Sequence, residues 1–146
     1  MSAQRTRVNY LALMIATLAA FVASSLWYGP LLFGTPFIEL SRFGADDITP
    51  NGYKIVAELG RTFLIAVVIA RLLRIAGAAG TKSSLAIASW VWLGFPAMLL
   101  SGSVMWQQVP WMLAAIHAGD WLVKMLVITT IVSVWPTRAR PAIRVA

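Results

Sequence analysis

WMLAAIHAGDWLVKMLVITTIVSVW, residues 111–135, is a long apolar run that nevertheless carries His117, Asp120 and Lys124 inside it. A hydrocarbon core about 30 Å thick needs around 20 apolar residues per helical crossing, so the stretch is long enough to span a membrane. Its three polar residues stand at spacings of three and four, on one face of a helix. Insertion scales charge about 2.5–3.5 kcal/mol for an Asp or Lys at a helix centre, so that face must turn toward protein or water. The stretch therefore predicts a membrane helix with a polar inner face, and neighbours to cover it.

The rest of the chain supplies those neighbours. Of 146 residues, 60% are hydrophobic and 12% charged, against roughly 45–50% and about 25% in a soluble domain. A soluble globule is excluded. Three further stretches, about 8–30, 54–75 and 84–105, are also long enough to cross. The longest polar connection, 34–53, is too short to bury a core of its own. The expected fold is all-α: an integral membrane four-helix bundle forming a single transmembrane domain over residues 1–146.

The net charge of +7 is distributed by topology. Arg5, Arg7, Arg71, Arg74, Lys82, Arg138, Arg140 and Arg144, eight of the twelve Lys and Arg, fall on one side of a four-span layout. By the positive-inside rule both termini are expected in the cytoplasm, with the basic ends against anionic lipid headgroups. The basic segments are short and scattered, so no nucleic-acid partner is expected. The start of the chain also resembles a secretory signal, with Ala23-Ser24-Ser25 as its cleavage site, but a retained first helix is the expectation. Cysteine is absent, so disulfides and thiolate chemistry are excluded.

Packing signals follow. Ala12, Ala16, Ala20 and Ser24 form one nearly straight stripe of small residues on the first span. In lipid such a stripe lets another helix approach closely, from the same chain or from a neighbouring subunit; a homo-oligomer is expected. Phe37, Ile38, Leu40 and Phe43 could lie along the outer surface as a short amphipathic cap. Gly94 and Pro96 interrupt the third span. Pro96 removes a hydrogen bond to the Trp92 carbonyl and predicts a bend, with Ser89, Ser101 or water to satisfy the freed acceptor. Most of the seven tryptophans fit interfacial belts, Trp27, Trp106 and Trp111 outside and Trp135 inside. Trp121 is the exception, deep in the fourth span beside Asp120.

Glu58 and Arg61, three residues apart in the second span, answer the polar face of the fourth. At 1.5 Å per residue the depths from the outer boundary are roughly 8 Å for Glu58, 12 Å for Arg61, 9 Å for His117, 14 Å for Asp120 and 20 Å for Lys124. These depths predict two cross-helix pairs, Glu58 with His117 and Arg61 with Asp120. Lys124 is left to reach back to Asp120 or to meet an anion. The four formal charges cancel, as a buried network requires. Glu58, Arg61, His117, Asp120, Trp121 and Lys124 are the candidate ligand-binding residues, with structural glue between helices as the alternative. One histidine beside two cationic side chains does not make a metal site, and no cofactor is expected. No catalytic residues are legible: there is no Ser-His-Asp order and no phosphate loop after a strand.

SSLWYGPLLFG, residues 24–34, closes the first span. Trp27 comes nineteen residues after Val8, roughly 29 Å along a helix, so Gly29-Pro30 ends the crossing at the outer interface. Trp27, Tyr28, Pro30 and Phe33 are then candidates for a lid over the outer mouth.

Two of these segments carry a family likeness. VNYLALMIATLAAFVASSLWYGPLLFG (8–34) and IHAGDWLVKMLVITTIVSVW (116–135) resemble the first and last helices of a bacterial four-helix membrane family, domain-of-unknown-function 1761. The shared features are Asn9, then Trp27, Tyr28, Pro30, Leu31, Leu32, Phe33 and Gly34, then Asp120 and Trp135. The resemblance implies a multi-pass protein of the bacterial inner membrane and confers no activity. WYGPLLFGTPF (27–37) is also similar, more distantly, to the tryptophan-rich sensory (translocator) proteins, five-helix porphyrin and sterol binders; Thr35 stands where those carry lysine. Function is accordingly expected as binding or transport of a small anionic or zwitterionic ligand at the polar cluster. A structural or accessory membrane subunit is the alternative.

Overall fold

The computed structural model describes residues 9–41 and 51–135. Arg5, Arg7, Arg42, Phe43, Arg138, Arg140 and Arg144 lie outside the described residues. Within them all regular structure is helical. α1 spans Tyr10–Trp27, α2 Gly34–Ser41, α3 Gly52–Ile75, α4 Thr81–Trp92, α5 Met98–Gln107 and α6 Trp111–Val134. A π-helical turn, Leu93–Ala97, joins α4 to α5.

Local chemistry sets the ends. The Asn9 side chain accepts from the N–H groups of Leu11 and Ala12, capping α1, and Asn51 does the same for α3 through Lys54 N–H. α1 stops at Tyr28, ahead of Pro30. The chain then folds back on itself: Phe33 N–H donates to the Trp27 carbonyl at 3.0 Å and Gly34 N–H to the Gly29 carbonyl at 3.0 Å. Gly34 is required by space, since a Cβ there would lie 2.7 Å from the carbonyl oxygens of both Tyr28 and Gly29. The first residue of α2 is thus pinned against the last turn of α1.

Three helices are long and apolar enough to cross a membrane: Tyr10–Trp27, Thr81–Gln107 taken through its π turn, and Trp111–Val134. The fourth expected crossing, α3, has the length at 24 residues. It also carries Lys54, Glu58, Arg61, Arg71 and Arg74, which lower its apolarity below that of the others.

The core joins α1, α3 and α6. Leu13, Ala16 and Ala20 of α1 meet Ala66, Ile69, Ala70 and Leu73 of α3 and Met125 and Ile128 of α6 in one buried cluster. The predicted stripe is this contact face: Ala12, Ala16, Ala20 and Ser24 are all buried. Its partners belong to the same chain. α4 and α5 lean mainly on α6 and meet α3 only slightly. α4 buries Ser84 and Ala88, and α5 buries nothing.

The bend at Pro96 takes the form of the π turn, which spaces hydrogen bonds around the missing N–H. Ser101 does not serve the freed acceptor; its hydroxyl donates to its own turn at the Met98 carbonyl, 2.8 Å away. Trp27, predicted for the outer belt, and Trp92 each donate an indole N–H to a backbone carbonyl of α6. Trp27 Nε1 donates to the Ile116 carbonyl at 3.0 Å, and Trp92 Nε1 to the Ala118 carbonyl at 2.8 Å. Gly119 leaves room for the Trp27 ring: a Cβ there would sit 2.5 Å from Trp27 Cζ2.

Candidate functional site

α6 presents His117, Asp120 and Lys124 to α1, α2 and α3, as their spacing predicts. Asp120 is 5% exposed and Lys124 1%, so neither can stand unpaired. Lys124 Nζ lies 2.8 Å from Glu58 Oε1 and 3.5 Å from Asp120 Oδ2. Asp120 also accepts a hydrogen bond from the Ser24 hydroxyl. One ammonium, two carboxylates and one hydroxyl thereby tie α1, α3 and α6 together at a single level.

The pairing differs from the one predicted by depth. Glu58 joins Lys124 rather than His117, and Arg61 joins Glu58 on its own helix at 3.1 Å rather than Asp120. The reason is side-chain direction. A helical side chain leans toward the helix N-terminus, which lifts the long Lys124 stem by about a turn, to the level of Asp120 and Glu58. With Lys124 between the two carboxylates, Arg61 is released: its side chain is 59% exposed, against 30% for Glu58.

His117 takes another partner. Its Nδ1 and the Tyr28 hydroxyl share a hydrogen bond at 2.7 Å. Phe37 of α2 packs edge-on against both rings, at 4.9 Å from Tyr28 and 5.7 Å from His117. Among the described residues no three His, Asp or Glu side chains converge to hold a metal ion.

These groups surround a cavity of about 670 Å³. Glu58, Arg61, His117, Asp120, Trp121 and Lys124 all line it, and Tyr28, Phe37 and Ile38 cover one side. All six residues singled out in the sequence are brought together. The predicted lid is redistributed: Tyr28 faces the cavity, whereas Trp27, Pro30 and Phe33 do not line it. Trp27 instead packs on Phe33 with ring centroids 4.6 Å apart, fastening the turn to α6. Phe37 and Ile38, read in the sequence as a surface cap, contribute walls in its place. Ser24, expected only as a small packing residue, acts here as a hydrogen-bond donor to Asp120. Its signal was present, as the only hydroxyl in a stripe otherwise made of alanine, at the end nearest the charges.

The Arg61 guanidinium and the Lys124 ammonium both lie 5.9 Å from the centroid of the Trp121 ring. Both cations therefore meet the same ring, at the upper end of cation–π range, while sharing Glu58 as a partner. The chemistry on offer is a hydrogen-bonded floor of one ammonium and two carboxylates, an accessible guanidinium that brings the cluster to formal neutrality and keeps unspent donors, and an aromatic rim.

No curated protein and no solved structure matches the chain. The family described as "Protein of unknown function (DUF1761)" matches residues 11–133, from the second residue of α1 to the last turn of α6. That span takes in both the helices of the core and the polar cavity, and the chain belongs to this family.

Proposed function

We propose that the chain is a four-crossing membrane protein, with both termini cytoplasmic, that binds a small anionic or zwitterionic ligand in the polar cavity. The observation that carries this reading is the division of labour between the two cations. Lys124 is buried and shared by two carboxylates, so it holds the helices together. Arg61 is accessible and spends its charge on one partly exposed carboxylate, so its remaining N–H donors are available to a carboxylate or phosphate. Glu58, beside it, suits an ammonium or hydroxyl on the same ligand. Transport across the membrane is one use of such a site, and sensing another.

The structural alternative draws on the same triad. Lys124, Asp120 and Ser24 fix how α1 and α6 meet whether or not anything binds above them. Arg61 separates the two readings, because a role in helix packing needs it to be buried.

Thermal unfolding of the detergent-purified chain, titrated with glycerol 1-phosphate and with zwitterionic amino acids, tests the proposal. The wild type is expected to gain stability with ligand. Arg61→Gln should leave the unliganded chain within about 1 kcal/mol of the wild type, as for an exposed ion pair, and abolish the gain. If no anion or zwitterion stabilises the wild type, the structural reading stands.

A further inference from the structure

A second hollow adjoins the first. It is an apolar cleft of about 790 Å³ between α3, the π turn with α5, and α6. Leu64, Ile65 and Val68 form one wall, and Phe95, Pro96 and Leu99 face them. The cleft stays open because α4 and α5 lean on α6 rather than on α3.

The two hollows share a wall. Trp121 lines both. On α3, Arg61 in the polar cavity and Leu64 and Val68 in the cleft are spaced three and four apart, along one face of the helix. The accessible guanidinium therefore stands about one turn, roughly 5 Å, from the start of the apolar wall, with its charge 5.9 Å from the ring that separates the spaces. A water-soluble ligand would use only the first hollow. A molecule with an acidic head and a hydrocarbon tail uses both.

We propose that the occupant is an acidic phospholipid, with its phosphate on Arg61 and one acyl chain in the cleft. The proposal rests on the reading of the polar cavity as an anion or zwitterion site and names the class of its ligand. A polar cavity of 670 Å³ is larger than a bare carboxylate requires. It has Glu58, Ser25 and Tyr28 to receive hydroxyls of a headgroup. The cleft offers no charged side chain, only apolar ones, as an acyl chain demands.

The test reconstitutes the full chain in phosphatidylcholine vesicles containing a minority of phosphatidylglycerol. After extraction and detergent exchange, phosphatidylglycerol retained per chain is counted by quantitative mass spectrometry. The wild type should retain it in preference to phosphatidylcholine. Arg61→Gln, which removes the cation, and Leu99→Trp, which fills the cleft, should each lower retention by about tenfold, the scale of one charge-assisted hydrogen bond or more. Val68→Trp fills the opposite wall and replaces Leu99→Trp if that variant does not fold. Glycerol 1-phosphate, the head alone, should bind wild type and Leu99→Trp alike. If both cleft variants retain phosphatidylglycerol as the wild type does, while glycerol 1-phosphate still depends on Arg61, the lipid proposal is overturned and the polar site survives. If neither probe depends on Arg61, both are overturned.

Discussion

α1 and α6, which pack with α3, and the α4–α5 limb are drawn from similarly apolar sequence and end in different states. In the most apolar stretches of α1 and α6, 33% of residues are buried, against 6% in Thr81–Gln107. Hydropathy does not separate them, because lipid gives apolar residues no reason to prefer another helix. The difference lies in small and polar residues. Ala16, Ala20 and Ala66 are all 0% exposed and let α1 and α3 close up, and Ser24, Asp120, Lys124 and Glu58 lock the three helices at one level. The limb buries only two small residues, Ser84 and Ala88, and Pro96 interrupts it with a π turn. One side is fastened by hydrogen bonds and close packing, and the other leaves a cleft.

The comparison is broken most severely at Lys124. Lys124→Met strands Asp120 and Glu58 and should cost about 3–5 kcal/mol, the range for removing one partner of a buried ion pair. Reversible unfolding in mixed micelles measures it. Adding Asp120→Leu should recover a large part of the loss, since the buried carboxylate goes too. A cost under about 1 kcal/mol for the single variant would mean that the triad does not fasten the helices.

Ser24→Ala removes a hydrogen bond to a charged, buried acceptor and should cost about 1.5–3 kcal/mol in the same assay. Gly119→Ala comes next. Its methyl group meets the Trp27 ring, and overpacking of this kind costs about 1–3 kcal/mol. Pairing it with Trp27→Leu should give less than the sum of the two single effects, because both act on one contact. On the limb, Leu99→Ala should change stability by no more than about 0.5 kcal/mol, since Leu99 is 75% exposed. A loss comparable to that at Ser24 would erase the distinction between the two sides.

What the sequence makes legible follows the same division. The face of α6 is readable because His117, Asp120 and Lys124 stand at helical spacing, and a charge inside a spanning helix must point inward. The stripe of α1 is readable because alanine every fourth residue has few other uses in a membrane. Partner choice is not readable from depth alone. Glu58 and Lys124, which the helical rise predicts about 12 Å apart in depth, meet through their side chains at 2.8 Å, because the lysine stem reaches back one turn to Asp120 and the helices set their own register. The inward turn of Trp27 is hidden for a related reason. It depends on a glycine 92 positions later in the chain, and only packing brings the two together. The WYGPLLFG segment is conspicuous in sequence, yet it serves mainly to fasten α1 and α2, with Tyr28 alone of the four predicted lid residues at the cavity.

As proposed, Arg61 serves as a ligand group and Lys124 as a structural one. Mass spectrometry of the small molecules and lipids that co-purify with the wild type and with Arg61→Gln, both prepared from the same membranes, tests this most directly. One anionic or zwitterionic species should be enriched on the wild type and lost from the variant, which should unfold at nearly the same temperature. Equal complements of bound molecules on two equally stable proteins would contradict it.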